Sequence, residues 1–103
     1  MSITLNAVGD FILNAFGQTD KDPFEFIYDD LKDCDLLFGN NETVISEYDI
    51  AFFPKAYSIR TPMESSKYLT KAGFDVLQFA NNHCFDFGVR GVKDSSFAVR
   101  FPA

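Results

Sequence analysis

The sequence predicts an α/β domain in which alternating strand and helix units form a mostly parallel sheet. Three observations predict it. Apolar strand-like runs alternate with helix-start signals along the 103 residues, the connections are short and polar, and each strand-like run ends in polar ligating residue types. This alternation favours right-handed crossovers, in which all strands point the same way. A chain of this length has room for one core.

The first predicted element is a strand over residues 3–8. Apolar and polar positions alternate there, and Gly9 and Asp10 follow directly. The strand therefore delivers a carboxylate at its carboxyl end. A loop around Gly17 and Thr19 comes next.

The first helix is predicted to begin at Asp22. This residue is of an N-cap type, Pro23 suits the first helical turn, and Glu25 provides the acid three residues on. Apolar residues follow at helical spacing and make one face. That face consists of Phe24, Ile27, Tyr28 and Leu31.

The second and third strands also end in ligating residue types. The second covers residues 35–38 and is closed by the run from Gly39 to Glu42. The third covers residues 74–80 and is closed by two asparagines and His83. Because the third strand is apolar at almost every position, we expect it to be covered on both faces.

A second helix separates these two strands. Residues 51–59 are less regular and leave room for an extended segment. Thr61, Pro62 and Glu64 then repeat the helix-start pattern, and Gly73 is a good C-terminal cap. The predicted order is thus strand, helix, strand, helix, strand.

Composition excludes several classes of function. A formal net charge of −6 and a pI near 4.5 argue against a surface for nucleic acid or anionic membrane. No run reaches the ~18 apolar residues of a membrane span, and no export signal begins the chain, so a cytoplasmic location is expected for the chain as written.

Cys34 and Cys84 are too few for a disulfide framework and are expected to be reduced. Most of the 13 phenylalanines are expected in the core.

Parallel strands bring their carboxyl ends to one edge of the sheet, where α/β proteins bind ligands. Asp10, Glu42 and the pair Asn82 and His83 are expected at that edge. Carboxylate and amide oxygens are hard ligands suited to Mg²⁺, Mn²⁺ or Ca²⁺, with Fe or Zn if imidazoles join. His83, next to a ligand, is better placed as a general acid than as another ligand.

A structural interpretation of the same residues stays open. Each of them alone is a common turn former, since Asn and Asp side chains fold back onto the backbone. The ring of His83 can equally satisfy a buried carbonyl group or Asp86.

Three segments resemble the opening motifs of the CapA family, bacterial proteins of poly-γ-glutamate capsule synthesis. They are ITLNAVGD, GNNETVIS and LTKAGFDVLQFANNHCFDFGVRGV, in this order. The Gly-Asp pair is a weak motif, whereas Ala-Asn-Asn-His followed by Asp-x-Gly is specific. The CapA family is similar to the calcineurin-like metallophosphoesterases, so the resemblance implies the N-terminal portion of a metallophosphoesterase-like α/β sandwich.

The resemblance also implies residue roles and a divalent metal, namely Mn, Mg, Fe or Zn. Asp10 matches the acid of the first motif, although the Asp-x-His form is absent. Glu42 takes the place of the bridging acid, Asn82 that of the metal-binding amide, and His83 that of the catalytic histidine. Asp86 belongs to the same signature and is interpreted as an orienter of His83 or of its loop.

The chain departs from the family pattern after His83. Family members are longer and carry later histidine motifs, but no histidine follows His83 here. We therefore interpret residues 1–92 as the N-terminal part of a CapA-like domain and residues 93–103 as a truncated or aberrant tail. Many family members carry an N-terminal membrane anchor, and none is expected in this chain as written.

Two functions from different classes follow. The first is a metal-dependent hydrolase of the metallophosphoesterase type. The second is a non-catalytic subunit or interaction module in capsule polymer assembly or export, with capsule-synthesis proteins as partners. Self-association through an uncovered face or edge of the sheet is also expected. A nucleotide-binding domain is disfavoured, because no Gly-rich phosphate loop follows the first strand.

Overall fold

The computed structural model describes residues 1–14 and 21–102 of the chain. The predicted loop around Gly17 and Thr19 lies outside the described residues. The elements, in order, are β1 (Leu5–Phe11), α1 (Tyr28–Lys32), β2 (Leu36–Asn41), β3 (Val44–Ile45), β4 (Arg60–Thr61), a 3-10 helix (Met63–Ser65), α2 (Ser66–Ala72), β5 (Val76–Gln78) and α3 (Gly88–Arg100).

The strands form one three-stranded sheet, in the order β1-β2-β5, and one two-stranded pair of β3 with β4. Every strand pair is parallel. The predicted α/β fold with a mostly parallel sheet is therefore confirmed. The β3 and β4 pair was not predicted, because two residues per strand leave no periodic pattern in the sequence.

A bulge in β1 sets the position of Asp10. Ala7 pairs with Phe38, but Asp10 pairs with Asn40, so β1 holds one residue more than β2 across this interval. Bulges of this kind redirect a side chain relative to the partner strand. Here the bulge brings Asp10 opposite Asn40, near the carboxyl end of both strands.

One face of the large sheet packs on the helices. Leu37 of β2 lies in the same core cluster as Leu31 of α1, Leu69 of α2 and Ala98 of α3. Gly39 follows Leu37 by two residues in β2. A Cβ atom at Gly39 would lie 2.6 Å from the Phe74 ring and 2.8 Å from the Phe11 ring. Glycine thus allows these two rings to stack over the strand, with centroids 5.1 Å apart.

The other face of the sheet is uncovered within the part of the chain that the structure describes. Leu5, Leu36 and Val76 are 60%, 44% and 51% exposed, and Leu5 pairs directly with Leu36. The expectation that the third strand is covered on both faces is therefore wrong for this chain. All described helices contribute to the opposite face, so the apolar outward positions remain in contact with solvent.

Strand boundaries differ from the predicted ones for local reasons. β1 continues past Asp10 to Phe11, which puts Asp10 inside the strand and not after it. β5 begins at Val76, and before it Asp75 bonds to Leu37 of β2 twice, through its backbone N–H at 2.9 Å and through its carboxylate at 2.8 Å. It ends early, because a tight turn at Phe79 follows it.

α1 begins at Tyr28, six residues after the predicted start. The segment from Asp22 first makes turns with i to i+3 hydrogen bonds, such as that from the Ile27 N–H to the Phe24 carbonyl at 3.0 Å. Asp22 does act locally as a cap, since its carboxylate accepts the Phe24 N–H at 3.0 Å. It also accepts the Tyr28 hydroxyl at 2.6 Å, which fixes the turn and delays the regular helix.

The second helix confirms its prediction. α2 ends at Ala72, and Gly73 follows in the left-handed conformation with φ of 81°. The segment 51–59 contains no strand; the chain becomes extended only at Arg60. α3 continues to Arg100, and the division of the chain after residue 92 stays a prediction.

The phenylalanines are less buried than expected. Of those that the structure describes, only Phe24 and Phe87 are buried. Those on the outer side of α3 and in the 51–59 segment are exposed, which makes the expectation of a mainly core role wrong. The exposed set is Phe26, Phe52, Phe53, Phe97 and Phe101.

Two further findings concern the cysteines and the membrane-spanning potential of the helices. Cys34 and Cys84 are both free thiols, as predicted. In the described ranges, no helix combines the length and apolar character that crossing a membrane requires.

We expect the uncovered sheet face to drive self-association. Val76→Lys places a charge on this face and should shift the chain toward the monomer, as measured by light scattering after size exclusion. Val89→Lys is the matched control, because Val89 is 57% exposed on α3, away from the sheet. Equal behaviour of both variants and wild type would contradict the role of the face.

Candidate functional site

A line of side-chain hydrogen bonds crosses the carboxyl edge of the sheet. Asn40 of β2 donates from Nδ2 to Asp10 Oδ1 at 2.6 Å. Asn81, in the loop after β5, donates from Nδ2 to Asn40 Oδ1 at 3.0 Å and to the Asn41 carbonyl at 2.8 Å. The ends of all three strands are thereby tied together at the predicted edge.

Asn81 also begins the turn that carries the histidine. Its Oδ1 accepts the His83 N–H at 3.0 Å, and its carbonyl accepts the Cys84 N–H at 3.3 Å. This pattern is an Asx turn, in which a side chain replaces a backbone acceptor. Of the two adjacent asparagines, Asn81 is the one that joins the strand ends, and no role was predicted for it from the sequence.

A buried carboxylate holds His83. Asp86 Oδ2 lies 2.7 Å from His83 Nδ1 and accepts the Ile59 N–H at 2.8 Å. Asp86 Oδ1 pairs with the ammonium group of Lys55. The Asp86 side chain is 0% exposed, whereas those of Lys55 and His83 are 21% and 14% exposed. One carboxylate thus connects a lysine, a histidine and a backbone amide.

The segment around residues 52–59 forms the second wall of the site. The Phe52 N–H donates to the Asp86 carbonyl at 2.9 Å, and Lys55 Nζ donates to the Asn82 carbonyl at 3.2 Å. Phe52 also packs on Gly88, where a Cβ atom would lie 3.2 Å from its ring. Gly88 has φ of 67°, so the site requires glycine there for both conformation and space.

Glu42 and Asn82 lie beside this network. The Glu42 N–H donates to the Phe11 carbonyl at 3.0 Å, which sets Glu42 at the end of β1, just after β2. Within the described ranges, no hydrogen bond from another residue reaches the Glu42 carboxylate. Asn82 is exposed, and its carbonyl group accepts a hydrogen bond from Lys55 Nζ.

Comparison with known proteins identifies the family. A family model described as bacterial capsule synthesis protein PGA_cap matches residues 4–100. The chain belongs to the PGA_cap family. The predicted resemblance to CapA is thereby confirmed.

Three relatives of this PGA_cap chain show how much of its sequence is shared with other proteins. The capsule biosynthesis protein CapA of Bacillus anthracis is 34% identical over 95% of the chain, and the PGA biosynthesis protein CapA of Bacillus subtilis (strain 168) is 33% identical over 70%. The uncharacterized protein y4uA of Sinorhizobium fredii (strain NBRC 101917 / NGR234) is 36% identical over 90%. The matches cover 26%, 19% and 22% of these relatives, so the chain spans about a quarter of their length or less.

The electrostatics of the PGA_cap site centre on Asp86. Burial alone would raise the pKa of this carboxyl group. Hydrogen bonds from Lys55, from the Ile59 N–H and from His83, together with the charge of His83, outweigh burial and hold the pKa below its ordinary value of 3.8. Asp86 is therefore a carboxylate that only accepts hydrogen bonds.

The predicted metal ligands are of the right chemical type for a divalent ion, but too few of them lie together to hold one. Asp10, Glu42 and Asn82 offer carboxylate and amide oxygens, the donors that hard cations prefer. Within residues 1–14 and 21–102, however, no group of three or more His, Cys, Asp or Glu side chains is arranged to hold a metal. The ligand roles of these three residues stay predictions.

We expect Asp86→Asn to lower the free energy of unfolding by about 2–3 kcal/mol, because hydrogen bonds to a charged group are lost in a buried position. Chemical denaturation at neutral pH measures this loss. Asp35→Asn is the control, since the exposed Asp35 accepts one backbone N–H, that of Thr4. Its cost should be about 1 kcal/mol or less.

The same variant carries a pH signature. The folded-state pKa of Asp86 lies below 3.8, so its stabilisation is fully present above that pH and is lost as the pH falls through the folded-state pKa. The stability difference between wild type and Asp86→Asn should therefore shrink in acid. A difference that stays constant down to the acid transition would contradict the charged state of Asp86.

Proposed function

We propose that this chain carries part of the active site of a metal-dependent hydrolase in poly-γ-glutamate capsule synthesis. The observation that carries the proposal is the meeting of two networks at one sheet edge. One joins Asp10 to Asn81, and the other joins His83 to Asp86, and the Asn81 turn connects them. The names of the two CapA relatives support the capsule role.

His83 is the proposed general acid. Asp86 accepts the proton on Nδ1, so a doubly protonated ring carries its second proton on Nε2. Donating that proton to a leaving group leaves the neutral ring with its proton on Nδ1. No other described residue hydrogen-bonds to Nε2. The ring is thus oriented by Asp86 at Nδ1, and its side chain is 14% exposed.

A divalent metal is the second part of the proposal. Such an ion, when bound, polarises a phosphoryl or acyl oxygen and activates water. Asp10, Glu42 and Asn82 would hold it, and the hydrogen bond from Asn40 fixes one oxygen of Asp10 in advance. The described residues do not complete a closed ligand shell, so we expect affinity at the millimolar level of loosely built oxygen sites.

A non-catalytic module in capsule assembly is the second candidate. One observation favours it: the edge side chains satisfy one another, since Asn40 bonds both Asp10 and Asn81. An edge held in this way is stable without an ion. In this case the partners would be other capsule-synthesis proteins.

Metal-dependent melting distinguishes the two candidates. A divalent ion such as Mn²⁺ at about ten times a millimolar Kd should stabilise wild type by about 1.4 kcal/mol, seen as a rise in Tm. Asp10→Ala should remove most of this gain. Asp29→Ala, at an exposed position on α1, should keep it. Unchanged melting of wild type with Mn²⁺ and Mg²⁺ would support the non-catalytic module.

Turnover tests the role of His83. In a longer chain that carries the same motifs, His83→Ala should lower metal-dependent hydrolysis of a chromogenic phosphodiester by roughly 10²- to 10⁴-fold, the usual range for loss of a general acid. Its Tm should fall, because Asp86 loses one of its three partners, but activity should fall far more than the folded fraction does. A comparable loss of stability, with activity following the folded fraction, would instead assign His83 a structural role.

A further inference from the structure

We propose that Lys55 is a positioning residue that fixes the orientation and tautomer of His83 and the backbone of Asn82 through one ammonium group. The inference rests on the proposed role of His83 as a proton donor. Lys55 Nζ contacts Asp86 Oδ1 and also donates to the Asn82 carbonyl at 3.2 Å. A single cation therefore contacts both the carboxylate that holds His83 and the backbone of Asn82.

The first step of the argument is how the Asp86 carboxylate divides its two oxygens. Oδ1 is occupied by Lys55, and Oδ2 accepts from Ile59 N–H and faces His83 Nδ1. An ionised carboxylate can only accept hydrogen bonds. The contact at 2.7 Å therefore requires the proton of the imidazole ring to lie on Nδ1.

The second step is what the carboxylate would do without Lys55. The Asp86 side chain has 0% exposure, so its Oδ1 would be left buried with no other described partner. An unpaired buried charge is costly, and the group reduces that cost by rotating or by admitting water. Either change takes a fixed acceptor away from Nδ1.

The third step is that Lys55 is itself held in place. Its side chain is 21% exposed, and Nζ lies 5.5 Å from the centroid of the Phe53 ring. The backbone around it is attached at both ends to Asp86, by the Phe52 N–H and the Ile59 N–H. The lysine is thus a fixed part of the wall and not a freely rotating surface side chain.

The chain permits a direct test, because His83 is its only histidine. Protein labelled with ¹⁵N-histidine gives the imidazole spectrum of this residue alone, and two-bond ¹H–¹⁵N correlations report which nitrogen carries the proton. Spectra are compared at alkaline pH values where they no longer change. The variants are Lys55→Met and Lys55→Arg. The control is Lys71→Met, which removes a different lysine paired with an aspartate, Asp22.

We expect wild type, Lys55→Arg and Lys71→Met to show one tautomer, with the proton on Nδ1. Lys55→Met should lose this single pattern and shift toward a mixture that contains the Nε2–H form. A wild-type ring protonated on Nε2, or Lys55→Met with the wild-type pattern, overturns the proposal. So does an equal change in Lys71→Met.

A measurement on lysine keeps the proposal testable if Lys55→Met does not fold. In ¹⁵N-lysine-labelled wild type, one ammonium signal should be protected from exchange with water, and it should be missing in Lys55→Arg but present in Lys71→Met. Absence of that signal, or its persistence in Lys55→Arg, overturns the proposal. None of these spectra needs a metal or a substrate. A fixed tautomer without metal-dependent melting would therefore sustain the role of Lys55 while the hydrolase proposal fails.

Discussion

The buried carboxylate of Asp86 is the constraint on which the site depends. A charge without access to solvent has to be compensated, and the compensation comes from Lys55, His83 and the Ile59 N–H. These groups belong to separate stretches of the chain. Satisfying one carboxylate therefore draws the 52–59 segment against the loop that precedes α3. Gly88 completes the arrangement, because only glycine accepts its backbone conformation beside the Phe52 ring.

The parallel sheet meets this network at its carboxyl edge. Strand polarity alone would bring the strand ends together, but the bulge in β1 is what sets Asp10 beside Asn40. Asn81 connects the sheet to the histidine loop, since its side chain bonds both to β2 and to the His83 N–H. The position of His83 is thus defined from the sheet side by amides and from the opposite side by Asp86.

Local patterns in the sequence predicted the features that arise locally. Alternating strand and helix signals predicted the parallel sheet, and Gly73 predicted the end of α2. The contact of His83 with Asp86 is one of the alternatives that the sequence left open. Features that depend on distant parts of the chain were missed. Lys55 is 31 residues from Asp86, and nothing in its neighbourhood marks it as a partner.

Other differences come from competition between equivalent local choices. Two adjacent asparagines are indistinguishable by type, and only the geometry of the turn decides which one reaches β2. Asp22 does act as a cap, as its residue type predicted. Its carboxylate accepts both the Phe24 N–H and the Tyr28 hydroxyl, so a turn precedes the regular helix in the chain. The bulge in β1 left no trace in the apolar pattern, so the alignment of Asp10 could not be derived from it.

The uncovered face of the sheet is coupled to the site through the strands themselves. Leu36 points to the open face of β2, and Asn40 of the same strand bonds to Asp10 at the edge. Strands rich in apolar residues on both sides are typical of sheets with two covered faces. Whatever layer packs on Leu5, Leu36 and Val76 gains stabilisation of roughly 25 cal/mol for each Å² of apolar surface it removes from water. The same packing would restrain the strands that hold Asp10 and Asn40, so cover of this face and order at the edge should increase together.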